Sequence, residues 1–365
     1  MDILPVLDGN AIVYCEGAFN TPNGKTAHGL VRHTRRYRIL SVIDSRYAGQ
    51  DAGQVLDGRP SGITIYATVE RAIQAAVEKG EEAAYFVVGL APDGGRLPAQ
   101  ARAHIRTAIE YGLNVDSGLH DFLSEDPDIS ALAQLKGIEI RDVRKTPPRS
   151  VLHAFSGNIE KVKALKIAVL GTDSAVGKRT TAWLIVQAFQ QAGYKAEMIG
   201  TGQTAWMQGA RYSLILDSLI NDFVAGELEH ATYQAWVEQQ PDVIVIEGQG
   251  SLMNPAYPGG HEILAACRPD VVVLQHAPKR LEYDGFPGYA LHPLPIQIEA
   301  VELLSGKPVV AVTVNHEDMA PGDVPAACLD ITRATGLPAY DVLLQGMDGL
   351  LESLLPYLRE AAKAR

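Results

Sequence analysis

The chain has 365 residues, of which 47% are hydrophobic and 21% charged, and carries a formal net charge of −11 at pH 7. That length predicts two domains with ample core material. The acidic balance excludes a general nucleic-acid binder, which needs a basic face to neutralise phosphates.

One basic run, RHTRRYR at 32–38, departs from that balance and reads as a solvated surface or an intersubunit patch. The three cysteines, Cys15, Cys267 and Cys328, show neither metal-site spacing nor a disulfide framework, which fits a reducing compartment. The start, MDILPVLDGN, has early acids and no basic n-region, so no secretory leader is expected. No apolar run reaches the roughly 18–20 residues of a membrane span. A soluble cytoplasmic protein is the expectation.

Apolar runs alternate with amphipathic stretches throughout, the pattern of an α/β fold. In the first half, strands are predicted at 11–15 (AIVYC), 38–43 (RILSVI), 62–66 (GITIY), 84–90 (AYFVVGL) and 137–142 (GIEIRD). Helices are predicted over 68–79 and 98–111, the second opening with a proline that a first helical turn tolerates. The segment KTPPRS reads as a linker, which places a Rossmann-like domain at 1–150 and a second domain at 151–365. Gly94-Gly95 with Arg96 can approach a nucleotide, but no G-x-G-x-x-G accompanies them.

The second half has five predicted strands: 166–170 (KIAVL), 195–199 (KAEMI), 242–246 (DVIVI), 270–275 (DVVVLQ) and 308–314 (PVVAVTV). Their continuous apolar character suits parallel strands buried on both faces. Each runs into a polar or Gly-rich loop, and open parallel sheets bind ligands beyond the carboxyl ends of their strands. One composite site explains five such loops on one edge.

The segment KIAVLGTDSAVGKRTTA, 166–182, has the order strand, Gly-rich turn, Gly-Lys, helix, which is the layout of a phosphate cradle. It departs from the P-loop consensus twice. Gly171 stands one position early, with Thr172 in its expected place, and Arg179 replaces the hydroxyl residue that holds Mg²⁺. Gly171, Thr172, Asp173, Ser174, Ala175, Val176, Gly177, Lys178, Arg179 and Thr180 form the candidate cofactor-binding loop. Lys178 supplies a mobile charge for phosphate oxygens, and Arg179 can grip a second phosphate or a carboxylate. Because successive helical side chains diverge by about 100°, Thr180 does not simply stand in for a hydroxyl at 179.

In DVIVIEGQGSL a buried strand ends in Glu247, which can act as a magnesium partner, a general base or an anchor for a substrate ammonium. Gly248 and Gly250 let the following backbone approach a ligand. GTGQT at 200–204 offers Thr201 and Gln203 for substrate hydrogen bonds, with Gln249 a further amide. QHAPKRLEYDGFPGY gathers His276, Lys279, Arg280, Tyr283 and Asp284 after a buried strand. Its cations suit carboxylate binding, and His276 can move a proton. Glu247, His276 and Lys178 are the candidate catalytic residues.

GTDSAVGK resembles the opening loop of dethiobiotin synthetases, and VIEGQG is similar to their strand-end segment. That resemblance implies Mg·ATP, with Asp173, Lys178 and Glu247 around metal and phosphates; Asp173, Thr180 and Glu247 are the magnesium candidates. A broader resemblance spans nearly the whole chain. SVIDSRYAGQDAG, VVGLAPDGGRLP, GLNVDSGLHDFL, GTDSAVGKRTTA, GTGQT, IEGQGSL and QHAPKRLEYDGFP identify it as resembling domain-of-unknown-function family 1611. The family implies a Rossmann-like domain followed by a P-loop-like domain, and one branch is assigned as D-glutamate N-acetyltransferase using acetyl-CoA. On that implication the cradle serves the coenzyme's pyrophosphate, and no Mg²⁺-holding hydroxyl is needed at 179. An amino-acid N-acetyltransferase, expected as a homo-oligomer, is the leading reading. An ATP/Mg-dependent ligase or kinase is the alternative, and a nucleotide-binding regulatory protein comes third.

Overall fold

A computed structural model describes residues 8–363; residues 1–7, on which the leader expectation falls, lie outside the described residues. The chain is an α/β protein with two parallel sheets, and it clusters into two compact units. The first holds the described residues up to Thr146 together with Gln203–Ala210; the second holds Pro147–Gly202 and the chain from Arg211 on. Among the described residues, no helix is long and apolar enough to cross a membrane.

The N-terminal sheet contains β1 (Gly9–Tyr14), β2 (Tyr37–Ile43), β3 (Thr64–Tyr66), β4 (Tyr85–Val88), β5 (Asn114–Ser117) and β6 (Ile140–Asp142). Their order, 3-2-1-4-5-6, is that of a Rossmann sheet. The predicted helices lie at Val69–Glu78 and Ala99–Glu110, the first capped by Thr68, whose side chain accepts from the Arg71 N–H. Strand β5 was not predicted, because NVDS is short and carries an acid. Asp116 is nevertheless fully buried there, since Tyr37 and Arg141 both donate to its carboxylate.

The basic run is paired within this unit, Arg32 and Arg38 at its exposed surface and Arg36 partly buried. Arg32 pairs with Asp57 at 2.7 Å, Arg38 pairs with Glu81, and Arg36 stacks 3.8 Å over the Trp206 ring. Trp206 belongs to the short segment that returns to this unit from the second half of the sequence. Gln208 anchors the same segment by donating to the carbonyls of Gly29 and His33. Arg96 is held by Asp121 at 2.7 Å. Asp44, at the end of β2, accepts from Phe19 N and from the Arg46 guanidinium, so the acid in the usual ribose-binding position of a dinucleotide fold is already engaged.

The C-terminal sheet contains β7 (Leu165–Gly171), β8 (Ala196–Gly200), β9 (Tyr212–Ser213), β10 (Val243–Glu247), β11 (Val271–His276), β12 (Val309–Val314) and β13 (Ala339–Tyr340). Their order is 13-12-11-7-10-8-9, with β7 at the centre. The five predicted strands are the five longest, and every residue of β7, β10 and β12 is buried, as strands covered on both faces require. The two-residue edge strands β9 and β13 carry no hydrophobic run and are visible only as pairings with β8 and β12. Because β10 and β11 flank β7 in register, Glu247 and His276 come to either side of the turn that follows Gly171.

Candidate active site at the β7 phosphate loop

The helix after the loop starts at Lys178 and runs to Gln191. Gly177 takes φ +108° and Ala175 φ +52°, which lets the chain turn back sharply before the helix begins. A Cβ on Gly171 would lie 2.9 Å from Lys178 Cδ, so glycine there leaves room for the lysine stem. The N–H groups of Ala175, Val176 and Gly177 donate to no acceptor among the described residues. With the positive end of a fourteen-residue helix behind them, they fit an anionic phosphate.

Lys178 is buried, and its Nζ donates to the carbonyls of Asp173 at 2.6 Å and Gly250 at 2.7 Å. The cation therefore bridges the phosphate loop and the loop after β10. Thr172 fixes the front of the turn: its N–H donates to Gln275 O at 2.9 Å, and its hydroxyl lies 3.0 Å from His276 Nδ1. Thr180 is half-buried in the first helical turn.

Asp173 is fully buried, and its carboxylate is saturated by protein donors. Oδ1 accepts from Ser174 N and Asn254 Nδ2, both at 2.7 Å; Oδ2 accepts from Arg280 Nη1 at 2.9 Å and Asp284 N at 2.8 Å. Asp173 thus ties three loops together. That arrangement gives it a bracing task and occupies the oxygens that the sequence reading offered to a metal. Arg280 is spent in the same way, donating also to Ser174 O at 2.8 Å and pairing with Glu317. These bonds engage the guanidinium that the sequence reading offered to a substrate carboxylate. Among the described residues, no three His, Cys, Asp or Glu side chains converge as a metal site.

Glu247 ends β10, almost completely buried. Its Oε2 accepts from Thr201 N at 2.9 Å, while Thr201 Oγ1 donates to the Glu247 carbonyl at 2.9 Å. Burial raises the carboxyl above its ordinary range, opposed by Arg179, the Thr201 and Gly202 N–H groups and Lys178. Gly248 must be glycine, since a Cβ there would lie 2.4 Å from Val169 O. Gln249 Nε2 donates to Thr201 Oγ1 at 3.1 Å, completing a Glu247–Thr201–Gln249 cluster.

His276 differs from Glu247. Burial, reinforced by the neighbouring Arg280 charge, lowers its pKa to about 4. The imidazole is neutral at physiological pH and a poor acceptor for an ammonium proton. Tyr283 is buried with its hydroxyl 2.8 Å from His292 Nδ1, which makes it a loop anchor. Asp284 and Lys279 are exposed, and Asp284 accepts from Ser174 Oγ at 3.3 Å. Gln203 opens the helix Gln203–Met207, which groups with the N-terminal unit, where its side chain packs against Gly118.

Several residues were missed. Asn254 links Asp173 to the backbone of Ala256 and Tyr257. Asn315 Nδ2 holds Val176 O at 2.9 Å, and Gln275 Oε1 accepts from Thr181 and Thr313. Gln275 and Asn315 stand at or just beyond a predicted strand end, the one signal that would have singled them out; Asn254 lies seven residues past the end of β10 and carries no such signal.

The fold and loop define a two-domain α/β protein with a Rossmann-like domain and a P-loop domain. Residues 153–351 match "Domain of unknown function (DUF1611_C) P-loop domain", and residues 45–146 match "Domain of unknown function (DUF1611_N) Rossmann-like domain". The chain belongs to the DUF1611 family. It is 29% identical over 282 residues to a protein of Tritonibacter scottomollicae named D-glutamate N-acetyltransferase, covering 76% of this chain and 82% of that one. A protein of the same name from a Pseudoalteromonas species is 29% identical over 276 residues, covering 74% and 80%. The crystal structure of a DUF1611 family protein from Anabaena variabilis superposes with a TM-score of 0.85 at 28% identity, covering 95% of this chain and 99% of that one. These names support an acetyltransferase reading at the level of the family.

Proposed function

We propose that this protein transfers the acetyl group of acetyl-CoA to the amine of an acidic amino acid, D-glutamate being the leading substrate. The observation that carries the reading is the pairing of a phosphate cradle with Glu247, a buried carboxylate of raised pKa beside it. The relatives' shared name supports the acetyl group and the amine of the reading; acetyl-CoA as the donor is part of the proposal.

The coenzyme's pyrophosphate is assigned to the N–H groups of residues 175–177, the helix start and Lys178. Lys178 exchanges its two carbonyl partners for phosphate oxygens. Glu247 receives a proton from the substrate ammonium, because a raised carboxyl is a stronger base than an ordinary one. Arg179 and Lys178 oppose that rise and favour its charged form. The neutral amine then attacks the thioester carbonyl, and the CoA sulfur departs. His276 holds Thr172 and the turn. With Arg280 committed to Asp173, the substrate carboxylates fall to Arg179, whose charge acts on Glu247, and to the exposed Lys279.

The Mg·ATP ligase reading has less behind it, since the Asp173 oxygens already receive four donors. Calorimetry with CoA tests the assignment. Lys178→Ala is expected to weaken CoA binding at least tenfold; binding unchanged by that substitution would sink the cradle. Arg179→Thr restores the consensus hydroxyl. A gain of Mg·ATP binding in that variant would favour the ligase reading.

A further inference from the structure

Two loops of the C-terminal unit meet beside the phosphate loop through aromatic rings. The one after β11 doubles back on itself: Leu291 N donates to Leu281 O at 2.8 Å, and Tyr283 N donates to Tyr289 O at 2.9 Å. Gly285 at φ +80° and Gly288 at φ +88° form its tip. The loop after β10 brings Tyr257 to it. Tyr257 lies 6.2 Å from Phe286, and Phe286 6.3 Å from Tyr289, both edge-to-face. Phe286 is half-buried, but Tyr257 is 52% and Tyr289 58% exposed, so this ladder leaves apolar surface in water. Exposed apolar surface gathered at one place marks a site of binding.

Both loops are tied to the same end of the cradle. Asp284 N donates to Asp173 Oδ2 at 2.8 Å, and Ser174 Oγ donates to the Asp284 carboxylate at 3.3 Å. Asn254 donates to Asp173 Oδ1 at 2.7 Å and accepts from Tyr257 N at 2.8 Å. The ladder is thereby anchored at residues 173 and 174. The other end of the cradle, at Val176, is held by Asn315, which follows β12. In the sheet, β12 and β10 lie on opposite sides of β7. A pyrophosphate held between these ends has two exits, and only the one at 173–174 runs beside the loop that follows Glu247.

We infer that the Tyr257–Phe286–Tyr289 ladder seats the pantetheine arm of the acyl donor, while the adenosine leaves the cradle by the Asn315 end. The inference rests on acetyl-CoA being the donor. The arm begins, one methylene from the pyrophosphate, with a carbon bearing two methyl groups. Such groups gain by burial, and next to the phosphates they need an apolar wall at the edge of the cradle. The ladder is that wall. A free acidic amino acid gains nothing there, because its carboxylates stay hydrated or seek cations. The side of the sheet that carries Glu247 also fixes the direction of the coenzyme, since the thioester end has to leave on the side of the base.

The test is calorimetry on the full-length protein with three ligands. CoA carries both ends; 4′-phosphopantetheine keeps the arm without adenosine; ADP keeps adenosine and pyrophosphate without the arm. Tyr257→Ala and Phe286→Ala are each expected to weaken CoA and 4′-phosphopantetheine about tenfold and to leave ADP affinity at the wild-type value. Tyr257→Phe should bind CoA as the wild type does, because the ring makes the wall. Tyr257 is exposed, so Tyr257→Ala should melt with the wild type and decides the matter if the half-buried Phe286 proves structural. Unchanged CoA affinity in Tyr257→Ala would overturn the inference. So would an equal loss for ADP, which would put the adenosine on the ladder. A wild type that binds CoA, with Tyr257→Ala binding it equally well, would remove the ladder alone; a wild type that binds ADP but neither CoA nor 4′-phosphopantetheine would remove the ladder and the coenzyme assignment together.

Discussion

Asp173→Ala separates a bracing carboxylate from one that serves a metal or a substrate. The side chain is completely buried, and Arg280, only 11% exposed, is its ion-pair partner at 2.9 Å. Removing one member of a buried hydrogen-bonded pair costs about 3–5 kcal/mol, because the other is left without compensation. Arg280 keeps Glu317 and Ser174 O, which points to the lower end, about 3 kcal/mol. Asn254 Nδ2 and the Asp284 N–H lose their acceptor as well, which pushes the cost upward. For a unit of this size each kcal/mol shifts the melting temperature by about 2–4 °C, so a fall of roughly 6–12 °C is expected. Differential scanning calorimetry of wild type and variant reads it directly, with CoA binding measured on the same samples well below both transitions. A variant that melts with the wild type yet has lost activity would refute the bracing role and return Asp173 to the chemistry.

Other consequences can be checked together. Glu247→Gln should lower kcat by about 1000-fold, as loss of a general base does. Its stability should exceed wild type at pH 7–8: the folded protein holds the Glu247 proton to higher pH than the unfolded chain, so wild-type stability falls as pH rises from the unfolded carboxyl value through the raised folded one. The two proteins should converge below about pH 4, and urea melts across pH would show it. His276→Gln should leave the acid limb of the rate–pH profile above pH 5 in place, because a group titrating near 4 does not shape it; disappearance of that limb would make His276 the base. Gly250→Ala places a Cβ 1.9 Å from Tyr257 O at φ +49°, so it should displace the 250–257 loop and weaken CoA binding through Lys178. A soluble Gly250→Ala protein with wild-type CoA affinity would contradict that coupling.

Much of the site was legible because its strands are buried on both faces. KIAVL, DVIVI, DVVVLQ and PVVAVTV are apolar without interruption, and their ends locate the loops that carry Lys178, Glu247, His276 and Asn315. The roles of individual side chains were less accessible. Asp173 and Arg280 look like ligand-binding groups in a list of residues, but they lie 107 positions apart and meet only in the fold. His276 and Glu247 begin as equal candidates for the base. Burial drives one toward the weaker base and the other toward the stronger, and the alignment of β11 and β10 on β7 decides which charges each one faces. In the N-terminal unit, β5 escaped detection because the partners that make Asp116 tolerable, Tyr37 and Arg141, are 79 and 25 residues away. The excursion of Gln203–Ala210 is invisible to any reading that cuts the chain once.

The central claim is acyl transfer, and free-thiol release from acetyl-CoA tests it most directly. The purified protein would be assayed with D-glutamate, L-glutamate or no amino acid, beside an arm containing Mg·ATP that reports phosphate. Thiol release that depends on D-glutamate is the predicted result. Silence in those arms with substrate-dependent phosphate release would contradict the account and make the protein a ligase or kinase.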